Sequence, residues 1–278
     1  MKFKKLSHAL IFCLGLEVLI FLFSLICEFL VNKIFPEKTA NSLYLIGGIE
    51  RLILSAIGIL IIKKLGKTSI LKSRAKTFWN GICLGSPDLA IPGYSFLGFI
   101  IMAVFKNIQL HPVNVILEII FMFITVGIFE EIYFRGIITG VLNDHFGHKD
   151  AKSVWTTIIL SGILFGTFHL LNFFSGINPL SVLIQVISCT GIGIFFGTVY
   201  VRSRNLYSLI FLHAIHDILV MGRLLDANSS IIEIMSSTSK IPPAVSFTVV
   251  FMLSIGYVSM SIYTLRKEKM KEIINSNF

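Results

Sequence analysis

Three observations predict an all-α fold, a polytopic membrane helix bundle of about eight transmembrane helices. Of the 278 residues, 55% are hydrophobic and only 14% charged, where an ordinary soluble domain carries about a quarter charged residues. The apolar residues gather into runs near the roughly twenty that a helix needs to cross a bilayer. The cations fall in short clusters between those runs.

The first run, 8–31, follows Lys2, Lys4 and Lys5. It is too long for a signal-peptide core and no small-residue cleavage site closes it, so it reads as the first membrane helix. The next runs are 43–62 and 81–104, the latter interrupted by Pro87 and Pro92. Then come 113–142, 153–171, 179–200, 205–221 and 244–265. The run 205–221 is short and carries polar residues. No polar half separates from these runs, so residues 1–278 read as a single integral membrane domain.

Orientation follows from the loops. With the N-terminus inside, 17 Lys and Arg fall in inside segments and five in outside loops, while Arg51 and Arg135 lie within helices. The positive-inside rule then puts both termini in the cytoplasm of a multi-pass protein of the cell membrane. The net charge of +9 accordingly suits membrane topology and anionic lipid, not nucleic acid. Lys63 to Lys76 alternates cations with Leu65, Ile70 and Leu71, a pattern that fits a membrane-surface segment or a solvated loop equally. Cys13, Cys27, Cys83 and Cys189 lie in apolar runs without a CxxC pair and read as buried small hydrophobes. Gly162/Gly166 and Gly193/Gly197 suit close helix contact.

Ionisable groups at bilayer depth are costly and usually line a cavity where they act. The fourth run holds Phe129-Glu130-Glu131-Ile132-Tyr133-Phe134-Arg135. Glu131 and Arg135 are four apart and share a face, as a salt bridge near a helix end would; Glu130, about 100° round, is left without that partner. The fifth run holds Phe165 and His169. The seventh holds His213, His216 and Asp217, with His213 and Asp217 on one face and His216 sharing it or turning aside. At about 1.5 Å per residue, Glu130 lies roughly 18 Å, His169 roughly 24 Å and His213 roughly 12 Å from the cytoplasmic ends of their helices. Tilt and side-chain reach permit them to meet.

Glu-Glu-x-x-x-Arg at Glu130, Glu131 and Arg135, then Phe-x-x-x-His at Phe165 and His169, then His-x-x-x-Asp at His213 and Asp217, resembles the CPBP family in this order. That family covers type II CAAX prenyl endopeptidases and bacterial bacteriocin-processing or self-immunity proteins, also called Abi. The resemblance spans about 125–220, a protease-like core. Asp217 departs from it, since many members have asparagine there. An amide can donate to an oxyanion and an ionised carboxylate cannot.

The resemblance implies an intramembrane endopeptidase acting on a peptide or membrane-protein substrate, with a role such as bacteriocin maturation or self-immunity. Glu130 and His169 would hold and deprotonate water, Glu131 would pair with Arg135, and His213 with Asp217 would stabilise the oxyanion. No Ser or Cys sits beside the histidines as a nucleophile. A divalent metal such as zinc stays open as cofactor, held by His169, His213 and a glutamate with one position for water. The HExxH spacing is absent, and the reading favours metal-free glutamate chemistry. Two other classes stand beside it: a non-catalytic bacteriocin immunity membrane protein, and a transporter. Against the latter, no repeat relates two halves of the chain.

Overall fold

The computed structural model describes residues 5–34, 40–106 and 108–275. Lys2, Lys4 and Lys38, which enter the charge count above, lie outside these residues. The helices are α1 (Leu6–Ile34), α2 (Ala40–Lys64), α3 (Ala75–Gly85), α4 (Ala90–Phe105), α5 (Val113–Glu131) and α6 (Thr139–Phe146). They continue as α7 (Ala151–Phe168), α8 (Pro179–Ser203), α9 (Leu206–Val220), α10 (Ile231–Met235), α11 (Pro243–Thr264) and α12 (Lys267–Ile274). No strand occurs among the described residues; one isolated bridge joins Leu110 to Asp226.

Six helical stretches are long and apolar enough to cross a membrane: Leu6–Ile34, Leu43–Lys64, Ala75–Phe105, Ala151–Ser175, Pro179–Ser203 and Pro243–Thr264. The membrane helix bundle is as expected, but the count of eight is not confirmed. The two remaining runs are helical and fall short for different reasons. Helix α9 has 15 residues, about 22 Å at 1.5 Å per residue, less than the hydrocarbon core of about 30 Å. The run from Val113 changes winding to a π-helix over Ile132–Ile138 before continuing as α6, and it carries Glu118, Glu130, Glu131 and Arg135.

Pro87 marks the break between α3 and α4, where Ser86–Leu89 tightens into a 3-10 turn. Proline lacks the N–H that an uninterrupted helix uses and crowds the preceding turn. The break matters because it carries Asp88, 2% exposed.

The burial pattern is that of a bundle in lipid. The core centres on Phe129, Phe134, Ile137 and Leu142, with Phe196 and Leu209 against them. Around it, α1, α4 and α11 turn Phe29, Phe105 and Phe251 outward. In water such a wall would be a large apolar liability; in a bilayer it is solvated.

The principal helix pairs are α7 on α8, α2 on α5, α8 on α11 and α5 on α9. Glycine permits two of them. A Cβ on Gly162 would lie 2.7 Å from the Ile194 backbone nitrogen, and one on Gly193 3.0 Å from the Gly162 Cα. The glycine pairs therefore mark the α7–α8 crossing, as small-residue packing in membranes requires.

The basic segment after α2 folds back under the bundle. Lys67 Nζ meets Asp144 at 2.6 Å, Tyr207 donates to the Leu71 carbonyl at 2.9 Å, and Asn205 Nδ2 reaches Ser73 at 2.7 Å. All four cysteines are free. Cys13 is buried, but Cys83 is exposed. For Cys83 the expectation of a buried position fails, because its side of α3 faces outward.

Candidate active site

Helix α5 delivers Glu130 and Glu131 at its last turn, where both are buried at 8% and 0% exposure. Helix α9 brings His213, 5% exposed, directly against them. Its Nδ1 lies 2.8 Å from Glu131 Oε1 and its Nε2 3.4 Å from Glu130 Oε2. Asp217, one turn along α9, places Oδ2 3.7 Å from the same Nε2. A carboxylate only accepts, so Nδ1 of His213 carries the hydrogen and donates it to Glu131.

The two helices meet because Gly127 has no side chain. A Cβ there would come within 3.0 Å of the Ala214 nitrogen and 3.2 Å of the Ile210 carbonyl oxygen, the turn of α9 that bears His213. Gly127 stands one turn before the glutamates, so the contact sets their distance to the imidazole.

Arg135 is fully buried. Its Nε lies 3.2 Å from Glu131 Oε2, and its Nη2 donates to the Gly193 carbonyl at 3.5 Å. The guanidinium stacks 4.8 Å over the Phe165 ring and 5.7 Å from that of Phe196. The same two rings meet His213 edge-on at 5.8 Å and 5.7 Å. Phe165 and Phe196 thus enclose both the Arg135 guanidinium and the His213 ring and exclude solvent from the Glu131 pair, which strengthens each electrostatic contact. The wide π turn at Ile132–Ile138 follows immediately after Glu131, a placement such turns often take at functional sites.

His169 closes α7 and opens a 3-10 stretch, His169–Ser175. Its Nδ1 lies 2.9 Å from the Phe165 carbonyl oxygen. A carbonyl only accepts, so this nitrogen carries the hydrogen and Nε2 is the free position. The ring interacts electrostatically with Glu130 and Asp217. The site residues expected from the sequence therefore gather in one region: Glu130, Glu131, Arg135, His213 and Asp217 in direct contact, with His169 within electrostatic range.

His216 turns aside. Its Nδ1 meets Asp88 Oδ2 at 2.8 Å, and Tyr257 of α11 donates to Asp88 Oδ1 at 2.7 Å. This second buried cluster ties the α3–α4 break to α9 and α11. Sequence reading passed over Asp88, Gly127 and Phe196. A carboxylate between two prolines within an apolar run was the available signal for Asp88. Gly127 and Phe196 carry no comparable mark.

The three-ligand metal set of His169, His213 and a glutamate does not assemble. Among the described residues no group of three or more His, Cys, Asp and Glu side chains is placed to hold an ion. Instead His213 turns both ring nitrogens to carboxylates and His169 turns Nδ1 to a backbone carbonyl.

Together, the fold and this geometry define a multi-pass membrane protein with a buried Glu-Glu-Arg/His cluster and a half-buried His169 beside it. Residues 112–219 match the family model for type II CAAX prenyl endopeptidases, Rce1-like, in agreement with the CPBP resemblance. The match supports an intramembrane endopeptidase at the level of the family. No curated protein and no solved structure matches the chain.

Proposed function

We propose that this protein hydrolyses a peptide bond within the membrane by water activated at Glu130 and His169. The observation that carries this reading is the meeting of α5 and α9, where His213 lies 3.4 Å from Glu130 and 2.8 Å from Glu131.

An amide carbonyl is a weak electrophile, so the site must supply a base, an oxyanion partner and an acid. Water is held by the Glu130 carboxylate and by Nε2 of His169, the nitrogen left free by the Phe165 carbonyl. As its oxygen attacks the carbonyl carbon, one proton passes to this pair. The negative charge that develops on the carbonyl oxygen is met by His213, whose ring Glu131 fixes through Nδ1. Glu131 is itself anchored by Arg135. The carbon–nitrogen bond then breaks as the proton returns from the Glu130/His169 pair to the leaving amine. Products are a carboxylic acid and an amine, and the side chains regain their starting state. Asp217 Oδ2 lies 3.7 Å from Nε2 of His213, and the role assigned to it is to orient that imidazole.

The Lys and Arg distribution supports a cell-membrane protein with both termini cytoplasmic. Bacteriocin maturation or self-immunity is the cellular role that the resemblance suggests, with peptide precursors or membrane proteins as substrates. The experiment compares the peptides that accumulate in cells carrying wild-type and Glu130→Ala protein. Precursors should persist and cleaved products vanish in the variant. An identical peptide inventory, with both proteins present at equal level in the membrane, refutes the reading.

A further inference from the structure

Helix α1 lies outside the matched domain and touches the bundle along one narrow stripe. Its buried residues are Ala9, Cys13, Glu17 and Ile20, spaced four, four and three apart, a single helical face. The rest of the helix is partly or fully exposed, with Ile11, Leu19 and Phe29 turned outward. Packing explains the alanine, the cysteine and the isoleucine. It does not explain a carboxylate at the centre of the stripe. Glu17 is 8% exposed, and its Oε1 is buried without a hydrogen-bond partner. Such a group is costly in an apolar setting unless a charge or dipole faces it.

The site group within electrostatic range of Glu17 is His169. One turn on from Glu17, Phe21 packs its ring 5.2 Å from that of Phe174, and Phe174 belongs to the 3-10 stretch that His169 begins. This contact docks α1 on the segment carrying the imidazole. Glu17 and His169 interact electrostatically, while Nδ1 of His169 is already committed to the Phe165 carbonyl.

We propose that Glu17 is a positioning residue of the active site, acting on His169 from α1 through its charge and balancing the positive charge that the ring gains when it shares the proton of the attacking water. The inference rests on the hydrolase reading above and adds a third glutamate to it from outside the matched domain. Its chemistry is electrostatic: no bond to Glu17 forms or breaks.

A purely structural Glu17 and a positioning Glu17 respond oppositely to an isosteric change. Glu17→Gln removes a poorly satisfied buried carboxylate, so the melting temperature in lipid nanodiscs should hold or rise. On an internally quenched peptide copied from a Glu130-dependent cleavage site, kcat should fall on the order of tenfold to a hundredfold, with KM within about twofold. Glu17→Leu keeps the stripe apolar and separates packing from charge. Full kcat in either variant overturns the proposal, as does a loss of kcat that follows only from a lower melting temperature and is restored in Glu17→Leu. Cleavage that persists in Glu130→Ala sinks the hydrolase reading and this inference with it. Cleavage lost in Glu130→Ala but intact in Glu17→Gln sinks the inference alone.

Discussion

Arg135→Ala tests whether the buried ion pair holds the site together. The guanidinium is 0% exposed and lies 3.2 Å from Glu131, which is also 0% exposed. Removing one partner of a buried pair leaves the other charge uncompensated, at about 3–5 kcal/mol. His213 still faces Glu131 at 2.8 Å, which pulls the expectation to the lower end of that range. The stack 4.8 Å over Phe165 adds about 1–2 kcal/mol where water is excluded. The long hydrogen bond to Gly193 adds about 0.5 kcal/mol. These contributions share partners and do not add, so the expected loss is about 3–4 kcal/mol. Arg135→Lys keeps a charge but loses the planar stack and the reach of the fork, and about half that loss is expected. The assay is equilibrium unfolding of the purified protein in mixed micelles, followed by the fluorescence of Trp79 and Trp155. A loss below about 1 kcal/mol for the alanine variant, on the same scale, would refute the view that Arg135 compensates Glu131. Equal losses for alanine and lysine would refute the stacking contribution.

Other outcomes follow from the same geometry. Gly127→Val drives a branched side chain into the backbone of α9; it should cost about 1–3 kcal/mol as an overpacked contact and lower peptide cleavage more than Gly15→Val, where nothing lies within 4 Å. Asp88→Ala strips partners from His216 and Tyr257, and unfolding in micelles should show a loss of about 2–4 kcal/mol, smaller when Tyr257→Phe is already present. His148, in the loop before α7, is pushed down to about 4 by burial and by the charge of Arg204. The unfolded chain therefore binds this proton first, so stability is full above about pH 6.5 and falls as pH drops towards 4, by about 3 kcal/mol at most. A melting series across that window should flatten in His148→Gln; an unchanged slope would show that another group carries the dependence.

Much of the molecule was legible because lipid imposes simple rules. A bilayer accepts only helices with satisfied backbones, so apolar runs and cation clusters were enough to predict an all-α bundle and the position of most helices. They left the count unconfirmed, since 205–221 is helical but short and 113–142 contains a change of winding that no local preference announces. Glu130, Glu131, Arg135, His169, His213 and Asp217 stood out because ionisable groups at depth are rare. His216 did not declare its direction, for a residue three from His213 can share that face or leave it. Its turn towards Asp88 depends on the break at Pro87.

What the sequence by itself determined is therefore the solvent of this protein and the inventory of its polar groups, because both follow from residue type and periodicity along one chain. Which of those groups touch was decided only by the tertiary structure. Gly127 against Ala214, Phe165 and Phe196 around Arg135, and Glu17 towards His169 join residues tens to hundreds of positions apart. Such contacts depend on side-chain volume and helix crossing in three dimensions, and neither quantity is written in the spacing of a single run.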